Sequence, residues 1–114
     1  MYYLKECDVA LMGAETFYAD GTGFNTTGSD IVGLVCSYYK IPLYFLTPLI
    51  KLDIRSIYGH YKNLKISDLT HKMTEYWSNK ELTKGIDFTA PELLGVKAKH
   101  IRGVLQNRVL FHLP

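Results

Sequence analysis

Two short apolar runs, "DVALMG" at residues 8–13 and "LYFL" at 43–46, limit the folds open to this chain more than any other feature. The first does not alternate and closes on Gly13, which suits a strand buried on both faces. The second is entered through Pro42, and proline is tolerated as the first residue of a strand. Between them, from Ser29 to Lys40, Ile31, Leu34, Val35 and Tyr38 fall at helical spacing, with Thr27, Ser29 or Asp30 available to cap the first amides. Strand, glycine-rich turn, helix, strand is a βαβ unit, so the two strands should be parallel and the crossover right-handed. The expected fold class is therefore α/β with a parallel sheet. Ligands of such sheets bind at the carboxyl ends of the strands, which places residues 13–29 on the functional rim.

The rest of the chain is less periodic. "MYYLKEC" reads as the tail of a helix, and residues 46–65 as loop plus a short irregular helix. Ile66, Leu69, Met73 and Tyr76 or Trp77 mark an amphipathic helix. Thr89 offers a cap and Pro91 a first-turn proline, predicting a helical segment to about Gln106. "RVLFHL", residues 108–113, reads as a final strand.

A chain of 114 residues with 47% hydrophobic content fits one domain, residues 1–114, without a linker. The formal charge of +2 makes no field strong enough to draw in nucleic acid or an anionic membrane, so no direct nucleic-acid partner is expected. No apolar stretch approaches the roughly 20 residues of a membrane span, and no leader pattern opens the chain. Cys7 and Cys36 lack metal-ligand spacing and read as reduced, buried thiols of a cytoplasmic protein. His60, His71, His100 and His112 are too scattered for a metal site, so no metal or cofactor is expected. Tyr38, Tyr39, Tyr44 and Tyr76 read as packing core edges, and Lys97, Lys99, Arg102 and Arg108 as the solvated face of a helix.

The stretch "GAETFYADGTGFNTTGSD", residues 13–30, carries the chemistry that can be read locally. A helix that follows a glycine-containing turn presents unpaired amides and the positive end of a dipole, so Asn25, Thr26, Thr27, Gly28 and Ser29 are candidates for holding a phosphate or carboxylate. Glu15 would be the nearby acid or base. The glycines at 21, 23 and 28 fit neither a Walker A loop nor a dinucleotide fingerprint. On spacing alone the stretch reads either as an anion site or as an ordinary turn and cap.

Gly13-Ala14-Glu15, Ala19-Asp20-Gly21, Asn25-Thr26-Thr27-Gly28-Ser29, Ile41-Pro42-Leu43-Tyr44, Ile50-Lys51-Leu52 and Asp87-Phe88-Thr89-Ala90-Pro91 occur in that order. Together they resemble the C-terminal domain of the translation initiation factor 2B regulatory subunits (alpha, beta and delta). That family also includes 5-methylthioribose-1-phosphate and ribose-1,5-bisphosphate isomerases. The resemblance implies a Rossmann-like parallel sheet with flanking helices, of which this chain would hold the later part, truncated on its N-terminal side. It implies dimerisation with a second copy or with related subunits, and a phosphorylated small molecule as a ligand class. In the isomerases the position of Glu15 is an aspartate active in proton transfer, which makes Glu15 the catalytic candidate. The lysine near the ligand phosphate is replaced by Thr26, the partner cysteine has no counterpart at Cys7, and the family's threonine-glutamate-x-glycine turn is replaced by Gln106-Asn107-Arg108. These departures point to a non-catalytic regulatory or assembly domain, with the C-terminal half of a sugar-phosphate isomerase as the alternative.

Overall fold

The computed structural model describes residues 2–61, 65–107 and the backbone of 110–112. In chain order it places β1 (Ala10–Gly13), β2 (Thr16–Phe17), β3 (Gly23–Thr26), α1 (Ser29–Tyr38), β4 (Leu43–Leu46) and β5 (Ile66–Asp68). These are followed by α2 (Thr70–Thr74), β6 (Thr89–Pro91), β7 (Leu93–Val96), β8 (Gly103–Leu105) and β9 (Leu110–His112). β1, β4 and β8 form a parallel three-strand sheet in that order, and β9 adds antiparallel to β8. β2, β3 and β7 make a separate antiparallel sheet, and β5 pairs with β6. The expected α/β class and the parallel pairing of β1 with β4, Ala10 against Leu43 through Gly13 against Leu46, are both present.

The core lies on one face of the parallel sheet. Leu43 and Phe45 project from that face of β4 and are enclosed by Val104 of β8, Val96 of β7, Cys36 of α1 and Phe17 of the β2–β3 hairpin. α1 sits close to β7 because Gly33 carries no side chain: a Cβ there would lie 2.6 Å from Val96 Cγ1. Glycine inside a helix costs about 1 kcal/mol against alanine. Close packing on β7 outweighs that.

This approach also decides which face of α1 is buried. Ser29, Gly33, Val35 and Cys36 turn inward, whereas Ile31, Leu34 and Tyr38, expected in the core, are 59%, 54% and 79% exposed. The smallest residue, rather than the largest apolar ones, marks the contact. The helix ends at Tyr38 instead of Lys40. None of Thr27, Ser29 or Asp30 acts as the expected side-chain cap. Gly28 occupies the N-cap with φ 101°, and the Thr27 hydroxyl donates instead to Pro91 O at 2.5 Å.

β1 is not buried on both faces. Leu11 is 54% exposed, and Leu46, two residues beyond its β4 partner Tyr44, is 46% exposed. Among the described residues this second side of the parallel sheet is only partly covered, since Tyr44 and Leu105 are half-buried there and Gly103 is buried.

Downstream, pairing partners override the local pattern. Ile66 to Trp77 is not one helix: β6 draws Ile66–Asp68 into a strand, and only Thr70–Thr74 is helical. Thr89 and Pro91 open no helix. They belong to β6, and β3 and β4 then recruit β7 and β8 from the segment expected to be helical. Cross-strand pairing of this kind depends on neighbours far off in sequence, which periodicity does not register.

The N-terminal segment is a single 3-10 turn, Leu4–Glu6, instead of a helix tail. Cys36 is buried as expected, but Cys7 is exposed. Tyr38 and Tyr76 do not pack core edges, being 79% and 92% exposed. The 3-10 turns Leu49–Lys51 and Ile54–Tyr58 fit the irregular segment expected there, of which residues 62–64 lie outside the described part. β9 falls within the expected final strand, whose residues 108, 109 and 113 are also outside it.

Candidate functional site

The carboxyl ends of β1, β4 and β8 come together at Ala14, Thr47 and Gln106. Thr47 ties the three ends. Its amide donates to Leu105 O at 2.9 Å, and its buried hydroxyl donates to Ala14 O at 3.3 Å. Gln106 Oε1 is buried there without a hydrogen-bond partner, beside an open cavity of about 360 Å³ that Thr47 also lines. A buried carbonyl oxygen of this kind is an unused acceptor.

Residues 14–28 are more than an ordinary turn. They form the β2–β3 hairpin, closed over residues 18–22, which leads through Thr26 to the start of α1. The 3-10 turns after β4 pack along this hairpin. Thr16 Oγ1 donates to Lys51 O at 2.9 Å, Asp53 N to Phe17 O at 2.9 Å, and Ala19 N to Ser56 Oγ at 2.9 Å.

Glu15 stands where β1 hands over to β2, exposed, with its amide donating to Phe24 O at 2.8 Å. It lines a shallow cleft of about 320 Å³ with Lys51, Asp53 and Arg55. Asp53 accepts from Arg55 Nε at 3.0 Å and from Arg55 Nη2 at 2.8 Å. The hydrogen bond to Asp53, and then its charge, raise the Arg55 pKa above its ordinary value, so this group is a fixed cation. The cleft therefore holds two carboxylates and two cations, an arrangement suited to a polar ligand rather than an apolar one.

The other candidate residues are split. Asn25 and Thr26 lie in β3, paired with Leu94 and Leu93. Thr27 is tied to Pro91, and only Gly28 and Ser29 stand at the start of α1. Asn25 is next in sequence to Phe24, whose carbonyl holds Glu15, so the two main chains meet; none of residues 25–29 lines the Glu15 cleft. α1 starts without a side-chain cap, leaving its first amides open to a polar partner. Asp30, however, sits in that first turn with Oδ1 buried and unpaired, so the positive end of the dipole already faces a carboxylate.

Sequence reasoning gave no role to Lys51, Arg55, Thr47 or Gln106. Lys51 lay within a quoted motif, and its position just past β4 was the available signal. Gln106 opened the stretch that replaces the family's threonine-glutamate-x-glycine turn, and Arg55 and Thr47 are placed by contacts that no local pattern encodes.

Comparison with known proteins agrees with this architecture. The Initiation factor 2 subunit family model matches residues 1–96. A Methanocaldococcus jannaschii protein named "Putative methylthioribose-1-phosphate isomerase" is 37% identical over 51 residues, 45% of this chain and 16% of that protein. Among solved structures, 5-methylthioribose 1-phosphate isomerase from Pyrococcus horikoshii superposes with TM-score 0.76 at 16% identity, over 97% of this chain and 31% of that one. The delta subunit of translation initiation factor eIF-2B from A. fulgidus gives 0.77 at 15% identity, over 96% and 31%. The chain thus spans about a third of the length of these solved relatives. With the family model covering most of its length, the chain belongs to the Initiation factor 2 subunit (IF-2B) family.

Proposed function

We propose that this chain is a non-catalytic regulatory and assembly module of an initiation factor 2B-like protein, acting in the cytoplasm. One observation carries the reading: among the described residues one face of the parallel sheet is only partly covered, with Leu11 and Leu46 54% and 46% exposed on it. Parallel sheets are stable when both faces are covered, and exposed apolar surface of this kind is a protein contact. The outer row of α1, where Ile31, Leu34 and Tyr38 are exposed, adds apolar surface of the same kind. A second copy or a related subunit supplies the cover. Sedimentation velocity on the wild type should show concentration-dependent association that is lost in Leu11→Lys and Leu34→Lys. A wild-type monomer at all concentrations overturns the proposal.

The isomerase-half reading rests on the Glu15 cleft with its carboxylates and cations. It requires turnover of methylthioribose 1-phosphate or ribose 1,5-bisphosphate that disappears in Glu15→Gln. Any such turnover refutes the non-catalytic reading. Phosphate binding by Asn25, Thr26, Thr27, Gly28 and Ser29 belongs to either reading. It is supported by the uncapped start of α1 and opposed by the Asp30 carboxylate. A phosphate-dependent rise in thermal midpoint that Ser29→Ala removes would establish it.

A further inference from the structure

The end of the sheet opposite Glu15 holds a basic cavity that nothing in the preceding reading uses. It is bounded by the end of α1, the entry to β4 and the turn between β7 and β8, and has a volume of about 540 Å³. Lys40, Lys99, Arg102 and His100 line it, and no aspartate or glutamate does. The basic residues after β7 are therefore not the helical face their spacing suggested. A 3-10 turn, Ala98–His100, carries Lys99 and His100 to the cavity, and Arg102 follows at the start of β8.

Two features mark this cavity as more than a coincidence of surface cations. His100 Nδ1 is buried there without a hydrogen-bond partner. Buried polar atoms normally have one, so this position is prepared for a group that supplies it. Lys40 has φ 57°, the only positive φ at a non-glycine residue among those described. It follows Tyr39 at the end of α1, where glycine would take the left-handed conformation without strain. Backbone strain of this kind is retained where the side chain has a use. Its use as a mere partner of the helix C-terminus does not account for Lys99 and Arg102 facing the same space.

We propose that this cavity binds a phosphate monoester of a sugar or nucleoside, with Lys40, Lys99 and Arg102 around the phosphate and His100 Nδ1 as a further hydrogen-bonding group. Three cations with no carboxylate match a dianionic phosphate, and Arg102 offers the forked donor geometry that phosphate accepts. The volume exceeds what inorganic phosphate fills and falls in the range of small-molecule sites.

The test is an amide-resolved NMR titration with ribose 5-phosphate, with sodium chloride at equal ionic strength as the control. Saturable shifts should concentrate at residues 36–43 and 98–102. Lys40→Gly removes one cation while relieving the strained backbone, so the fold is preserved by design. It should weaken binding about tenfold, as should Arg102→Gln. Lys72→Gln, which removes an exposed cation that does not line the cavity, should leave affinity unchanged. Binding with the same affinity in Lys40→Gly and Arg102→Gln, shifts reproduced by chloride alone, or binding abolished by Lys72→Gln would each overturn the proposal. Inorganic phosphate binding as tightly as ribose 5-phosphate would refute the monoester class. None of these results bears on the association of the chain through its sheet and α1.

Discussion

Gly23→Ala should be among the most damaging single-methyl additions in this chain. A Cβ on Gly23 would lie 2.5, 2.8 and 3.0 Å from three atoms of the Phe45 ring. The φ of Gly23 is not positive, so an alanine there meets no backbone penalty and the effect is one of space alone. Phe45 is 0% exposed, in the strand between β1 and β8, and its ring is held by the core around it. Neither the ring nor the hairpin can yield by a full ångström without opening a gap elsewhere. Overpacking of this kind costs about 1–3 kcal/mol. For a chain near this size about 1 kcal/mol corresponds to roughly 4 °C, so the thermal midpoint should fall by about 4–12 °C. Differential scanning calorimetry on Gly23→Ala, Phe45→Leu and the double variant tests the cause. Phe45→Leu removes the part of the ring that the new methyl strikes, so the double variant should be more stable than the two separate losses predict. Gly95→Ala serves as a control, because its Cβ would meet Phe24 no closer than 3.2 Å and its loss should be smaller. Strict additivity of Gly23→Ala with Phe45→Leu, or a loss no larger than that of Gly95→Ala, would refute the argument.

Further outcomes follow from the charges and thiols. Burial, then the charges of Lys99 and Lys97, push the His100 imidazole below its ordinary 6.5, so the unfolded chain takes up the proton more readily. Stability from this group is therefore present above pH 6.5 and is lost as pH falls through the folded-state value; calorimetry should show a shallower pH slope for His100→Gln, and an unchanged slope would contradict the assignment. The Thr70 hydroxyl and amide hold Asp68 below its ordinary 3.8, which gives stability that is present above pH 3.8 and lost on further acidification. Thr70→Val should move that loss to higher pH in an acid titration followed by circular dichroism. Exposed Cys7 should react rapidly with a disulfide reagent at pH 8, whereas Cys36, whose thiol is raised by burial and then by Cys7, should react only on unfolding; two fast thiols per chain would contradict the core described above. Thr27→Val removes the hydroxyl that bonds Pro91 O and should cost about 0.5–1.5 kcal/mol by chemical denaturation.

The amino-acid sequence by itself determined the βαβ frame. "LYFL" is β4 to the residue, α1 starts at Ser29, and β1 ends at Gly13. Apolar runs bounded by proline or glycine, and one helical period between them, are local signals that tertiary contacts had no reason to override. The family motifs were likewise legible, because they are stretches of contiguous residues. Only the tertiary structure decided the rest. Residues 66–106 contain periods compatible with helix, yet β6, β3 and β4 draw Ile66–Asp68, Leu93–Val96 and Gly103–Leu105 into strands, because a strand edge twenty or more residues away offers pairing that a short isolated helix cannot match. The inner face of α1 was set by one glycine packing on Val96, which a search for large apolar residues passes over. The two ends of the sheet divide in the same way. Glu15 was visible beside its strand, but its grouping with Lys51, Asp53 and Arg55, and the meeting of Lys40 with Lys99 and Arg102 at the opposite end, exist only because the folded chain brings separate turns together at each end of the sheet.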